Sequence, residues 1–448
     1  MKSVKLLVVI SFLFSASLYA QTDTSTEVVP DTVLKEEFVP LFSTSLGVID
    51  EETDNQDVSG LLQSSRDVFT SIAGYNLSAG RYRVRGYDSE NFNVMMNGIT
   101  LNNPESGRAI WAFWGGLNDI TRYQESKNGI SSNQYSFGGI GGFSNIDARA
   151  SSQRKGSRVS YASSNRTYQH RLMVTHSTGL MENGLAVTVS GSMRYANEGY
   201  VEGTFFRGGS YFLSLEKKIN EKHSIGFVGY GAPTIQGRQS ISVQEAYDLT
   251  GNNNYNSFWG YQNGEKRNSR VRNNHIPMMM LNHYFTINSK TTLNTSAFYS
   301  FGRSGNTRLN WQDAADPRPD YYKNLPSYYD NPEDQSLFAY YTDAWQNDVN
   351  TQQVNWDQMY FANSKNLHTV QNVGGVIGNN VTGNRAKYIV EEQRSDQSHY
   401  GFNTVLNHQL DENLKLSLGL NGSFYKSMNF QVVNDLLGAD YWVNINQL

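Results

Sequence analysis

Leu414-Lys415-Leu416-Ser417-Leu418-Gly419-Leu420 alternates apolar with non-apolar at every step, and that alternation decides the fold. A strand points successive side chains to opposite faces, so a period of two yields one apolar face and one polar face. A helix would need its apolar residues three and four apart. The same period runs through Leu185, Val187, Val189, Met193 and Tyr195, set against Thr188, Ser190, Ser192 and Arg194. Segments near 157–163, 168–177, 209–219, 222–231, 276–288, 290–301 and 398–410 follow it too. The chain after Arg149 therefore predicts about nine strands. Lipid on one side and a wet lumen on the other would impose this pattern, and so would a soluble sandwich.

Connection lengths separate those two. Ile219-Asn220-Glu221-Lys222, Asn288-Ser289-Lys290 and Asp411-Glu412 are short links, whereas 196–208, 232–275 and 302–397 are long ones. Short and long links alternate in step. A barrel with tight periplasmic turns and large outer loops requires that parity, and a sandwich does not. A structureless loop of the length of 302–397 also argues against a compact soluble domain.

Composition agrees. The 448 residues include 28 Tyr, 22 Phe, 7 Trp and 39 Gly, yet mean hydropathy is −0.54. Many rings in a chain that is polar on average suits alternating strands. A net charge of −4 supplies no broad basic field, which speaks against nucleic acid as the main partner. Zero cysteine excludes disulfide scaffolds, thiolate metal sites and cysteine nucleophiles. His-x-x-x-His and Gly-x-Ser-x-Gly are absent. The Gly138–Gly142 run precedes strands rather than a helix, so it cannot cradle phosphate. Nothing here predicts an enzyme or a cofactor.

Lys2 and Lys5, then Leu6–Ile10 and Phe12–Phe14, then small residues up to Ala20 read as a secretory signal over 1–20. Residues 21–39 read as a flexible arm and 40–149 as a small α+β domain. Within that domain Asp57–Phe69 has helical spacing, and Val94-Met95-Met96 runs into Asn97-Gly98, a tight-turn signal.

The order of motifs from Arg81 to Arg122 resembles the plug domain of TonB-dependent outer-membrane receptors. Tyr82-Arg83-Val84-Arg85-Gly86 stands for the family's strand ending in Arg-Gly. Val94-Met95-Met96-Asn97-Gly98-Ile99 stands for its apolar strand into a turn, and Phe137–Ile146 for its closing Gly-rich segment. The resemblance implies a mainly β fold: a small α+β plug domain, then an antiparallel transmembrane β-barrel over 150–448 with long outer loops. The family's barrel has about 22 strands, more than the residues after 149 can supply at about ten per strand. This barrel is therefore expected to be partial, the chain a fragment, and its first and last strands unpaired to each other.

The resemblance further implies a bacterial outer-membrane location and active uptake of a scarce ligand of siderophore, vitamin or glycan type. The alternative is a binding or adhesion protein that does not transport. Its implied partners are a TonB-type energy-coupling protein, outer-membrane lipid, the small-molecule or oligosaccharide ligand, and a surface lipoprotein. Thr26, Glu27, Val28 and Val29 look like the TonB box, an extended segment able to add to a partner's sheet edge; a plain linker is the other reading of the same residues. The plug's outer loops, 73–80 and 101–116, would touch ligand through Tyr75, Asn76, Asn102, Asn103, Glu105, Arg108, Trp111 and Trp114; the two tryptophans serve equally well as plug packing. Arg81, Arg83 and Arg85 share one strand face and suit either a latch onto inward carboxylates of the wall, Glu216 among them, or a solvated edge strand. The aromatic loop around Trp311, Asp313, Asp316, Asp320, Trp345 and Trp356 reads as a self-packed outer cap. Its aspartates lack a calcium-loop spacing.

Overall fold

The computed structural model describes residues 87–444 apart from 131, 132, 137, 164 and 166. The arm with Thr26–Val29, the helix expected over Asp57–Phe69, Tyr75, Asn76, Arg81, Arg83 and Arg85 all lie outside the described residues.

The described part of the plug opens with β1 (Phe92–Met96) and β2 (Ile99–Thr100), joined by Asn97-Gly98. Both turn residues have positive φ, 50° and 81°, as a two-residue hairpin turn demands and as Asn-Gly tolerates best. A short helix α1 (Asn118–Thr121), β3 (Gln124–Asn128) and β4 (Gly142–Ile146) complete it. The sheet order is β2-β1-β4-β3, with β1 and β4 parallel. Val94, Met96, Ile99, Leu117, Ile120 and Ile146 form the plug's side of a core that continues onto wall residues Phe212, Val228, Tyr230, Met280 and Phe298.

The wall is an antiparallel meander. β5 (Gly156–Ser163), β6 (His170–Ser177), β7 (Leu185–Ala196) and β8 (Phe205–Lys218) pair in sequence. β9 (His223–Gly231) and β10 (Thr234–Gly237) keep one register against β8, Tyr211 facing Gly231 and Gly208 facing Thr234, so they are one strand interrupted at Pro233. An outer loop follows with α2 (Gln244–Thr250) and the hairpin β11 (Trp259–Gln262) and β12 (Glu265–Asn268). β13 (Val271–His275) and β14 (Met278–Asn288) are likewise one strand interrupted at Pro277, in constant register with β15 (Thr291–Trp311). Proline supplies no N–H to the ladder, yet both carbonyls still accept, from Gly209 (2.9 Å) and Phe301 (3.3 Å).

A second outer region holds α3 (Gln335–Asn347), α4 (Val349–Gln352), α5 (Trp356–Ser364) and the hairpin β16 (Leu367–Val370) and β17 (Val381–Asn384). β18 (Tyr388–Gln409) and β19 (Lys415–Asp435) are the last wall strands among the described residues. With the two interrupted strands each taken as one, the wall has the nine strands that the two-residue period predicts. Among the described residues β5 and β19 do not pair with each other, so the sheet is open, a partial barrel.

Two expectations need correction. The loop expected over 302–397 is shorter, because the β15–β18 ladder continues to Trp311 opposite Tyr388. Beyond Phe301 the strands carry Arg303, Asn306, Arg308, Glu391 and Glu392, so the apolar parity ends while backbone pairing does not. At about 3.3 Å per residue the 22-residue β18 runs roughly 70 Å, far beyond the 9–11 residues needed to cross a bilayer. Nor is the connection structureless: its helices bury Trp345 and Trp356 completely, the self-packed cap the aromatic content suggested.

Candidate functional site

Lumen-facing residues hold the plug. Glu216, on the inward parity of β8 and buried, accepts from the Ser151 hydroxyl (2.5 Å) and N–H (3.2 Å) through one oxygen and from the Ser224 hydroxyl (2.9 Å) through the other. The carboxylate named for a latch thus binds the segment that leads from plug to wall. Nearby, Thr175 donates to Asp119 (3.1 Å), Arg194 to the Gly115 carbonyl (3.0 Å) and Ser296 to the Asn97 carbonyl (3.3 Å). Gly116 lets the chain come this close: its φ is +94°, and a Cβ there would stand 2.5 Å from Ser192 Oγ.

The same leading segment is braced internally. Asp147 takes the Arg149 guanidinium (2.9 Å), the Arg149 N–H (3.1 Å) and the Ser152 hydroxyl (2.7 Å). Burial by itself would raise the Asp147 carboxyl, but the Arg149 charge and these hydrogen bonds outweigh it and hold the group below the usual carboxylate range. Arg149 also lies over the Tyr284 ring, 5.0 Å from its centre.

Beside Ser296, on the neighbouring strand β18, the contacts with the plug come mostly from neutral amides. Asn403 donates to the carbonyls of Gly98 (2.8 Å) and Tyr135 (3.2 Å), Asn407 to that of Gln134 (3.3 Å), and Lys415 to the Gln134 side chain (3.2 Å). A polar cavity of about 290 Å³ separates plug from wall here, lined by Gln134, Tyr135, Asn145, Asn294 and Asn403 among others.

The outer loop of the plug is built by its asparagines. Asn102 accepts from the Val94 N–H (2.9 Å) and donates to the Phe92 (2.7 Å) and Gly107 (2.8 Å) carbonyls. Asn103 caps the N–H groups of Glu105 (2.9 Å) and Ser106 (3.1 Å) and reaches the Tyr425 hydroxyl (3.5 Å). Trp114 is buried in the shared core, Trp111 packs beside it with ring centres 5.3 Å apart, and neither indole N–H has a hydrogen-bond partner. Glu105 is exposed at the tip and Arg108 is half-buried.

Of the residues read from sequence as ligand contacts, the structure brings Asn102, Asn103 and Trp114 to one small recess. Gln397, His399 and Tyr425 of the wall close it. Sequence reasoning passed over those three, although all share the lumen-facing parity of β18 and β19. His399 Nε2 is buried with no partner. At about 30 Å³ the recess has room for one water-sized group, and its unpaired Trp114 N–H can donate to an acceptor placed there.

The outer cap is tied down separately. Asp320 accepts from Ser242 and Ser257 (2.9 Å each), and Asp316 pairs with Arg318 (2.5 Å). These carboxylates are spent on loop architecture.

The TonB-dependent Receptor Plug Domain family matches residues 46–143, and it is a family of receptors rather than of enzymes. No curated protein matches the chain. Among solved structures it is similar to the siderophore receptor PiuA from Acinetobacter baumannii, at 12% identity and a TM-score of 0.44 over 78% of this chain and 40% of that one. It is similar to the ferric-catecholate import receptor Fiu from E. coli in its open form, at 11% and 0.48 over 81% and 47%. The copper transporter OprC gives 10% and 0.44 over 78% and 40%. The chain spans less than half the length of these three structures.

Proposed function

We propose that this chain, a TonB-dependent receptor by its plug domain and wall, serves energised import of a scarce ligand across the bacterial outer membrane, the location its family occupies. The observation that carries the reading is the plug seated against the lumen face of an antiparallel wall, joined to it by hydrogen bonds, packing and an Arg158–Asp119 ion pair (3.5 Å). Each neutral hydrogen bond contributes about 1 kcal/mol, so a seam of this kind opens step by step under a pull. The neutral contacts at Gln134 and Tyr135, beside the cavity, give way first; the charge-assisted Glu216–Ser151 contact keeps the plug attached. A ligand of siderophore, vitamin or glycan type is the class the family resemblance suggests; the recess at Asn103, Trp114 and His399, about 30 Å³, has room only for one small hydrogen-bond-accepting group of it. Thr26–Val29 would add as a strand to the energy-coupling partner.

The test uses a strain lacking the gene, supplied with the intact protein or with the protein shortened by Thr26–Val29. Uptake of radiolabelled ferric siderophores, cobalamin and oligosaccharides is measured beside their binding to whole cells. Import of one compound by the intact protein, with binding but no import by the shortened one, is expected. Equal import by both forms would remove the energised mechanism. Binding without import by either form would favour an adhesive or purely binding protein.

A further inference from the structure

On the outward face of the wall, four neighbouring positions on three strands carry only glycine or proline. Gly209 lies in β8, Gly231 ends β9, and Pro233 and Pro277 sit at the two strand interruptions. They share the outward parity of the exposed Tyr211, Ile235 and Met279. With so little side chain there, the outer surface is hollowed into a depression of about 1060 Å³. The Tyr211 hydroxyl and His275 Nε2 close one side of it at 3.0 Å.

The hollow sits at the upper limit of the apolar belt. Climbing each strand away from its short turn, β8 passes from Leu215 and Tyr211 to Arg207. β15 passes from Tyr299 and Phe301 to Arg303, and β18 from Phe402 and Tyr400 to Asp396 and Arg394. Lipid headgroups lie at that level, beside the interfacial aromatic girdle. Arg394 is neutralised by Asp396 at 2.7 Å. Arg207 lies over the Phe205 ring, and neither it nor Arg303 makes an ion pair with a carboxylate among the described residues. Two guanidinium groups above an apolar floor complement a phosphate joined to an acyl chain.

We propose that this depression binds a phosphorylated glycolipid of the outer leaflet. Arg207 and Arg303 hold the phosphate, and an acyl chain lies along Met279 and Phe301. Gly209, Pro233 and Pro277 at the floor supply the room; a larger residue at Gly209 would fill it. The proposal rests on outer-membrane placement and is independent of import.

Protein extracted from outer membranes in mild detergent is placed in nanodiscs containing bisphosphorylated lipid A or lipid A stripped of both phosphates. Retained lipid is then counted by mass spectrometry. Wild type should retain the phosphorylated form about tenfold more. R207Q/R303Q should lose that preference, while K217Q at the opposite edge of the belt keeps it. Equal retention of the two lipids by wild type, or an unchanged preference in R207Q/R303Q, overturns the site. The wild-type ratio decides even where the double substitution impairs assembly. A protein that fractionates with outer membranes yet shows no preference rejects the lipid site alone and leaves the import reading standing.

Discussion

Leu215 and Glu216 are adjacent in one strand and face different solvents. Leu215 is exposed on the wall's outer surface with Val189, Tyr211, Leu281 and Leu418. Glu216 is buried against the plug with Thr188, Ser190, Ser210 and Ser214. The outer face is uniform, and one aliphatic residue there does the work of another. The inner face is specific where a polar group meets a particular plug-side atom, as Glu216 meets Ser151 and Asn403 meets Gly98. The location of the wall is thus written in hydrophobicity, and the seating of the plug in individual hydrogen bonds.

Changing Leu213, midway along the lipid-facing row of β8 between Lys217 and Arg207, to Arg should break the outer half of that contrast most severely. A cation on the lipid face costs about 2–4 kcal/mol near the bilayer midplane. The loss should appear as reduced outer-membrane insertion, measured by fractionation, with the plug seam untouched. Changing Glu216 to Ala tests the inner half. It leaves the Ser151 N–H and two hydroxyls without their acceptor, at about 2–3 kcal/mol, and should expose the 147–153 segment to protease while insertion persists.

Asp147→Asn is expected to cost less, about 1–2 kcal/mol, because the group is only half-buried. It also carries a pH signature. The folded carboxyl titrates below its unfolded value of about 3.9. Its contribution is therefore complete above about pH 4 and is lost as pH falls toward the lower folded value. Protease protection of the segment should fall below pH 4 in the wild type; the variant should begin lower at neutral pH and lack that step. Asn403→Ala removes two bonds to plug carbonyls and should have the smallest effect, about 1 kcal/mol. Faster amide exchange should then be confined to the plug around Gly98 and Tyr135.

These contrasts also mark what the sequence discloses. Parity of Leu185–Tyr195 and Leu414–Leu420 foretells strands and faces, because the pleat maps a period of two directly onto two solvents. Asn97-Gly98 foretells its turn through the positive φ that both residues tolerate. The prolines at 233 and 277 gave no sign that one strand runs through each of them, since register is fixed by the neighbours. The upper halves of β15 and β18 lost the apolar signal once above the bilayer. Pairing of Ser151 with Glu216, or of Asn103 with Tyr425, depends on which parts of the chain meet in space. No local pattern encodes that. Trp111 and Trp114 could have been ligand platforms or packing, and Trp114 proves to lie within the core that plug and wall share.

The central claim is that one face of each wall strand meets lipid and the other meets the plug. The protein has no cysteine, so a single spin label can be placed at Leu215→Cys or at Ser214→Cys in outer membranes. Collision rates with oxygen, which concentrates in hydrocarbon, should be high for the label at 215. At 214 the label should be immobilised, with low collision rates for both oxygen and a water-soluble relaxer. Equal oxygen collision rates at the two positions, or high rates for the water-soluble reagent at 215, would contradict the account.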